Sequence, residues 1–116
     1  MKIGSIMWAS YLPALAAAAR EIDGLKLRLC SMRDLEDAAY RAEFLQYLRQ
    51  EADVVLLYPS ANATWEEVTG EIAEIARVVP TIAFGYDPAL QQYNSVPVPV
   101  ALTVQQYLAL AAEKMH

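Results

Sequence analysis

The 116-residue chain is long enough for one domain that buries about two-thirds of the surface its unfolded form exposes. Of its residues 56% are hydrophobic, but no apolar run approaches the roughly 20 residues of a membrane-spanning helix, and the net charge of −5 with scattered basic residues argues against a nucleic-acid partner. The single cysteine and single histidine argue against a disulfide and an all-protein zinc site. The amino-terminal segment lacks the shape of a secretory signal, so we expect a cytoplasmic protein.

The first half of the chain predicts two strand–helix pairs. Residues 2–8 predict a strand, and a helix follows with Pro13 in its first turn, Gly24 as its terminating residue and an apolar stripe of Leu12, Leu15, Ala16, Ala19 and Ile22. Residues 25–30 alternate between apolar and polar, which is typical of an edge strand. Ser31 and Asp34 match a helix cap, and the second helix is predicted to bury Leu35, Ala38, Ala42, Leu45 and Leu48.

The second half predicts two more pairs. The unbroken apolar run 54–57 is typical of a central strand in a parallel sheet. Thr64 and Glu67 match a capping box at the start of the third helix, and Gly70 inside that helix should cost about 1 kcal/mol relative to alanine. Residues 79–85 predict a fourth strand with Pro80 at its first position, and residues 89–99 a long, partly irregular loop. The last helix is predicted to bury Val104, Tyr107, Leu108, Ala111 and Met115.

This alternation of strands and helices predicts an α/β fold over residues 1–116. We expect a small, doubly wound, flavodoxin- or Rossmann-like three-layer αβα sandwich around a four-stranded parallel sheet. The strand order 2-1-3-4 places the alternating second strand at an edge and the apolar first and third strands in the middle.

In that order the topological switch point, at which the strand order reverses, lies between strands one and three, and doubly wound folds bind ligands at this point. The loops beyond these strands are expected to face one crevice, and the residues that could line it are Trp8, Ser10, Tyr11, Ser60, Asn62, Trp65, Tyr86 and Asp87. In the alternative interpretation, Ser60, Asn62 and Thr64 only satisfy backbone groups of the turn and helix cap. The crevice hypothesis predicts that alanine at Ser60 or Asn62 costs well under 1 kcal/mol, whereas Thr64→Ala costs about 1 kcal/mol.

The familiar catalytic motifs are missing from the sequence. It has no glycine-rich dinucleotide loop, no P-loop and no C-x-x-C pair, and its third strand ends in Tyr58-Pro59 rather than in the aspartate of a phosphorylated receiver domain. Cys30 is interpreted as a small buried hydrophobe, and Glu66 and Glu67 as charges that favour the helix dipole. We therefore predict no catalytic residue and no metal ligand.

Three segments resemble one protein family. Residues 1–13 (MKIGSIMWASYLP), residues 52–60 (ADVVLLYPS) followed by Trp65, and residues 79–88 (VPTIAFGYDP) are similar to the amino-terminal segment of the large, CobN-type subunit of cobaltochelatase. That subunit is related to the porphyrin-binding subunit of magnesium chelatase. The resemblance covers nearly the whole chain, and the Trp-x-Ser-Tyr-x-Pro start is its most specific part.

The resemblance implies a role in cobalamin biosynthesis. In this family the large subunit binds the corrin ring and inserts cobalt, while partner subunits of the AAA+ type hydrolyse ATP with magnesium. Members are many times longer, so the chain is expected to be a non-catalytic amino-terminal module without a cofactor of its own. Two alternatives stay open: a stand-alone tetrapyrrole or small-ligand binding protein that uses the crevice, and an interaction or dimerisation module, which the tyrosines between Tyr86 and Tyr107 favour.

Overall fold

A four-stranded, all-parallel sheet organises the fold. The computed structural model describes residues 1–60, 62–84, 87–96, 98 and 102–113. In this part of the chain the strands are β1 (Lys2–Met7), β2 (Lys26–Ser31), β3 (Val54–Tyr58) and β4 (Thr81–Ala83), in the order β2-β1-β3-β4. The predicted α/β class and the predicted order 2-1-3-4 are confirmed.

Helices cover both faces of the sheet. They are α1 (Leu12–Ala19), α2 (Ala38–Gln50), α3 (Ala63–Val78), α4 (Pro88–Gln91) and α5 (Val104–Glu113), and 3-10 turns occupy Ala9–Tyr11 and Asp34–Glu36. One hydrophobic core lies under α1 and α5, and a second lies under α2 and α3. The predicted three-layer sandwich is therefore confirmed. Among the described residues, no helix has the length and apolar character needed to cross a membrane.

The alternation of side chains along β3 explains its unbroken apolar run. Val54 and Leu56 belong to the core under α1 and α5, whereas Val55 and Leu57 belong to the core under α2 and α3. Because successive side chains of a strand point to opposite faces, a central strand covered on both sides needs apolar residues at every position. Tyr58 continues the series toward α1 and α5.

The start of α2 differs from its prediction. Ser31 and Asp34 do exchange two hydrogen bonds of 3.1 Å, but these open the 3-10 turn rather than the helix. The helix is capped by Asp37, whose Oδ1 accepts from the backbone N–H groups of Ala39 and Tyr40. This break shifts the helical phase, so the prediction that Ala38 and Ala42 are buried is wrong. The buried residues of α2 are Phe44, Leu45, Tyr47 and Leu48.

At the end of α1, the predicted stripe runs too far. The helix has Pro13 in its first turn as predicted, but it ends at Ala19, so Ile22 lies in the following turn. Gly24 has a φ of 75° in this turn, a conformation that glycine adopts readily because it has no Cβ. The prediction that Gly24 terminates the helix is wrong, because the helix is capped at Arg20 and Gly24 lies in the turn that leads into β2.

The segment after β4 is more ordered than its predicted loop. Asp87 accepts from Ala89 N and begins α4, with Pro88 as its first residue. Asn94 Oδ1 then accepts from Ala83 N at 2.6 Å, and Ser95 Oγ accepts from Thr81 N at 2.8 Å. These side chains satisfy backbone groups at the outer edge of β4, as a further strand would. Gly85, Pro97, Pro99 and Met115 lie outside the described residues.

Candidate functional site

The carboxyl ends of β1 and β3 lie side by side. The two strands pair in parallel, and their register sets Met7 opposite Tyr58. The 3-10 turn that follows β1 and the Pro59-Ser60 turn that follows β3 therefore leave the sheet at the same edge and level. This is the position at which the sequence predicts a crevice.

On the α1 and α5 side of this edge, four aromatic rings form a continuous row, which we name the aromatic row. The ring centroids of Tyr11 and Tyr58 are 5.1 Å apart, those of Tyr58 and Phe84 5.3 Å, and those of Phe84 and Tyr107 3.9 Å. The row runs from buried Tyr107 to Tyr11, which is 37% exposed, and Trp8 nearby is 45% exposed. Aromatic surface thus reaches solvent at the end of β1.

Tyr58 links the exposed and buried parts of the aromatic row. A hydrogen bond with Tyr11 is the largest cause that raises the pKa of Tyr58, followed by burial and by the neighbouring Tyr11 and Tyr107 hydroxyls. The Tyr58 hydroxyl therefore stays protonated at neutral pH. It serves as a hydrogen-bonding partner of Tyr11.

On the α3 side of the sheet, the structure has a separate cleft, which we name the α3–α4 cleft. It has a volume of about 300 Å³. The described residues that line it are Pro59, Trp65, Glu66, Thr69, Asp87, Ala89, Leu90, Gln92 and Tyr93. The Trp65 and Tyr93 rings meet edge to face with their centroids 6.3 Å apart. The cleft therefore combines aromatic walls with acidic and amide groups.

The turn that enters α3 is held by Asn62 and not by the predicted capping box. Asn62 Oδ1 accepts from Trp65 N at 2.9 Å, and Asn62 Nδ2 donates to Ser60 Oγ at 3.2 Å. Because α3 begins at Ala63, Thr64 lies inside the helix. Glu67, the other half of the predicted box, instead accepts a hydrogen bond from Arg41 at 3.1 Å. The prediction for Thr64 and Glu67 is wrong, and the alternative interpretation of Asn62 as a cap is confirmed.

The structure divides the predicted crevice residues into groups. Tyr11 lies in the aromatic row, with exposed Ser10 and Trp8 beside it in the chain. Trp65 and Asp87 line the α3–α4 cleft, and Ser60 and Asn62 form the turn between the two regions. Tyr86 lies outside the described residues. The predicted residues therefore do not form one continuous rim.

Several residues that line the cleft were missed from the sequence. Leu90, Gln92 and Tyr93 come from α4 and the turn after it, within the segment predicted to be irregular. An available signal was the Asp87-Pro88 pair, since an aspartate cap followed by proline at the first helical position is typical of a helix start.

The charges around α3 are unevenly compensated. Arg41 pairs with Glu67 at 3.1 Å and Arg49 with Glu71 at 3.7 Å, so two acidic residues of α3 tie it to α2. Glu66 and Asp87 have no ion pair within the part of the chain that the structure describes. The α3–α4 cleft therefore carries uncompensated negative charge.

The described residues offer little for covalent or metal chemistry. They contain no group of three or more His, Cys, Asp or Glu side chains that could hold a metal ion. Burial, then the nearby Asp34 carboxylate, raises the pKa of Cys30 to about 12, so its thiol is not a nucleophile at neutral pH. No protein-family model matches the chain, and no curated protein matches it either.

Proposed function

We propose that this chain is a cytoplasmic, non-catalytic α/β module of a cobaltochelatase large subunit, which acts in cobalamin biosynthesis. In this role the module docks against the body of the subunit that holds the corrin ring and the cobalt, while AAA+ partner subunits hydrolyse ATP. One observation carries the proposal. Two of the segments that resemble the family, residues 1–13 and 52–60, contain β1 and β3, which pair in parallel and whose carboxyl ends lie side by side.

The exposed end of the aromatic row supports a docking role. Trp8 and Tyr11 follow β1 directly and keep 45% and 37% of their surface exposed. Tryptophan and tyrosine are the residues that most often dominate binding energy at protein interfaces. Tyr11 is also held in place by its contact and hydrogen bond with Tyr58, so little side-chain freedom would be lost on docking.

The test is association in trans. The chain is mixed with the rest of a cobaltochelatase large subunit, and the dissociation constant is measured by isothermal titration calorimetry. We expect Trp8→Ala and Tyr11→Ala each to weaken association about tenfold or more, which corresponds to about 1.4 kcal/mol or more. Val78→Ala is the matched control. Val78 is an exposed apolar residue (76%) at the carboxyl-terminal end of α3, away from the end of β1 that carries Trp8 and Tyr11.

Two results would contradict the proposal. Absence of association between the chain and the rest of the large subunit would exclude a docking module. Hydrolysis of ATP or insertion of cobalt into a corrin by the chain alone would show that the module is catalytic. Both assays use the folded wild-type chain, so neither depends on how a variant folds.

The α3–α4 cleft favours a second candidate, a ligand-binding protein. Ligand pockets commonly have volumes of about 300–1,000 Å³. At about 300 Å³ the cleft lies at the lower end, which suits a small ligand better than a four-ring macrocycle. A corrin titration monitored by the fluorescence of Trp8 and Trp65 distinguishes a tetrapyrrole-binding protein from one that binds only small ligands. Micromolar quenching that is lost in Tyr11→Ala would identify a tetrapyrrole site at the aromatic row instead.

A further inference from the structure

Hydrogen-bond acceptors predominate among the polar groups of the α3–α4 cleft. Asp87 uses Oδ1 to accept from Ala89 N at 2.9 Å, and within the described chain no hydrogen bond is formed by its second carboxylate oxygen. Gln92 Nε2 donates to Ala89 O at 2.6 Å, which leaves its carbonyl oxygen as the group that can still accept. The Thr69 hydroxyl donates to Glu66 O at 3.0 Å. A ligand that enters the cleft can therefore donate hydrogen bonds to the second carboxylate oxygen of Asp87 and to the carbonyl oxygen of Gln92.

The cleft also has a net negative charge. Its described lining includes the carboxylates of Glu66 and Asp87 and no lysine or arginine. Glu66 is in the first turn of α3 and Asp87 caps α4, so each also faces the positive end of a helix dipole. Such an end is equivalent to about half a positive charge, and less for a helix as short as α4. Two full negative charges therefore outweigh the two dipoles by about one charge or more.

In the described part of the chain, other acidic residues of α3 are paired with arginines, whereas the acidic residues of the cleft are not. Glu67 and Glu71 lie on the same helix as Glu66, and each faces an arginine of α2. Glu66 and Asp87 face the cleft instead and have no such partner among the described residues. An exposed carboxylate is stable in water without a partner, so this pattern alone does not define a site. It shows which charge the cleft would attract.

The α3–α4 cleft also has aromatic walls. Trp65 and Tyr93 are 5% and 7% exposed, and both line the cleft. The face of a tryptophan or tyrosine ring attracts cations, most strongly in tryptophan. A donor-rich cation therefore finds carboxylate and carbonyl partners in a cavity of about 300 Å³ that Trp65 and Tyr93 help to line.

We propose that the α3–α4 cleft binds an aliphatic ammonium or guanidinium group, with Glu66 and Asp87 as its anionic partners and Trp65 and Tyr93 as its aromatic walls. The inference rests on the ligand-binding candidate and not on the chelatase assignment. The group can belong to a free small amine or guanidine, or to a lysine or arginine side chain of a peptide. The two sources share the same chemistry and are separated by experiment.

The experiment uses the intrinsic fluorescence of Trp65. The chain has two tryptophans, so Trp8→Phe leaves Trp65 as the only one. In this background we titrate agmatine, its uncharged analogue N-butylurea, and the peptide acetyl-Gly-Arg-Gly-amide. We expect a saturable change with a guanidinium probe, no change with N-butylurea, and weaker binding at higher salt. Binding of agmatine points to a free ligand, and binding of only the peptide points to a side chain.

Three charge-neutralising variants complete the test. Glu66→Gln and Asp87→Asn should each weaken binding of the guanidinium probe about fivefold, as expected for a solvent-accessible ion pair. Glu67→Gln is the matched control, since it removes the same charge one residue away but outside the cleft, and it should leave the affinity unchanged. A circular dichroism melt establishes that each variant is folded.

The inference is overturned by any of three results. These are no saturable response to either guanidinium probe, equal binding of N-butylurea, or equal losses in Glu66→Gln and Glu67→Gln. None of these results would contradict the proposed docking of the chain against a chelatase subunit, which is measured separately by calorimetry. Failure of the two proposals can therefore be distinguished.

Discussion

Asn62→Ala tests the assignment of the α3 cap most directly. The variant removes the Oδ1 atom that accepts from Trp65 N at 2.9 Å and the Nδ2 group that donates to Ser60. Trp65 is only 5% exposed and packs in the core under α2 and α3, so its N–H has restricted access to water when the cap is lost. Loss of an asparagine cap costs about 0.5–2 kcal/mol, and a poorly solvated N–H favours the upper half of this range. We expect about 1–2 kcal/mol.

This free energy corresponds to a measurable shift in melting temperature. Unfolding entropy is about 2.1 cal/mol/K per residue, which gives about 0.24 kcal/mol/K for a chain of 116 residues. A loss of 1–2 kcal/mol should therefore lower the midpoint of a circular dichroism melt by about 4–8 °C. Thr64 lies inside the helix, and no hydrogen bond of its side chain is formed within the described chain, so Thr64→Ala should shift the midpoint by less than about 2 °C.

Asn62→Asp serves as the control, because an aspartate can accept the same hydrogen bond and should keep most of the stability. The reasoning is refuted if Asn62→Ala melts within 1–2 °C of the wild type while Thr64→Ala loses about 4 °C or more. That result would restore the capping box predicted from the sequence. It would also make Asn62 available as a ligand-facing group.

Two further predictions concern the core. Gly4→Ala should destabilise the fold by about 1–3 kcal/mol in urea unfolding, because a Cβ there would overlap the Leu48 side chain and lie 3.1 Å from the Tyr47 ring. A Cβ at Gly70 would meet nothing within 4 Å, so Gly70→Ala should stabilise α3 by about 0.5–1 kcal/mol. A stabilising Gly4→Ala together with a destabilising Gly70→Ala would contradict the packing described. Burial raises the pKa of Cys30 from 9.0 to about 12. Above pH 9 the thiol ionises in the unfolded state but stays protonated in the folded state, so the stability that the buried thiol contributes is present below pH 9 and is lost as the pH rises toward 12. The urea midpoint should thus fall less steeply over this interval in Cys30→Ala than in the wild type, and equal slopes would show that the thiol is not protected.

The sheet could be predicted from the sequence because its signals are local and consistent with each other. The alternating pattern of residues 25–30 matches β2 at an edge, and the unbroken apolar run of residues 54–57 matches β3 between two cores. Together with right-handed crossovers, these two patterns leave few strand orders open. Both depend on burial alone, which the sequence encodes directly.

The helix starts could not all be predicted, because several residues near each start are able to cap. Before α3, Asn62 and Thr64 are both good caps, and the capping-box pattern favours Thr64. The choice depends on where the chain leaves β3, since Asn62 has the extended conformation of a cap residue, with φ −137° and ψ 177°. Before α2, Ser31 and Asp37 compete in the same way, and the 3-10 turn separates them.

The division of the predicted crevice follows from the topology itself. At the switch point the chain leaves β1 for α1 on one face of the sheet and leaves β3 for α3 on the other. Residues in the first turns of these helices are therefore carried apart, so Tyr11 joins the aromatic row while Trp65 joins the α3–α4 cleft. The two tryptophans are separated in the same way. Trp8 lies next to the proposed docking surface and Trp65 lines the proposed cation site, so an event at one site should change the fluorescence of one tryptophan and leave the other unchanged.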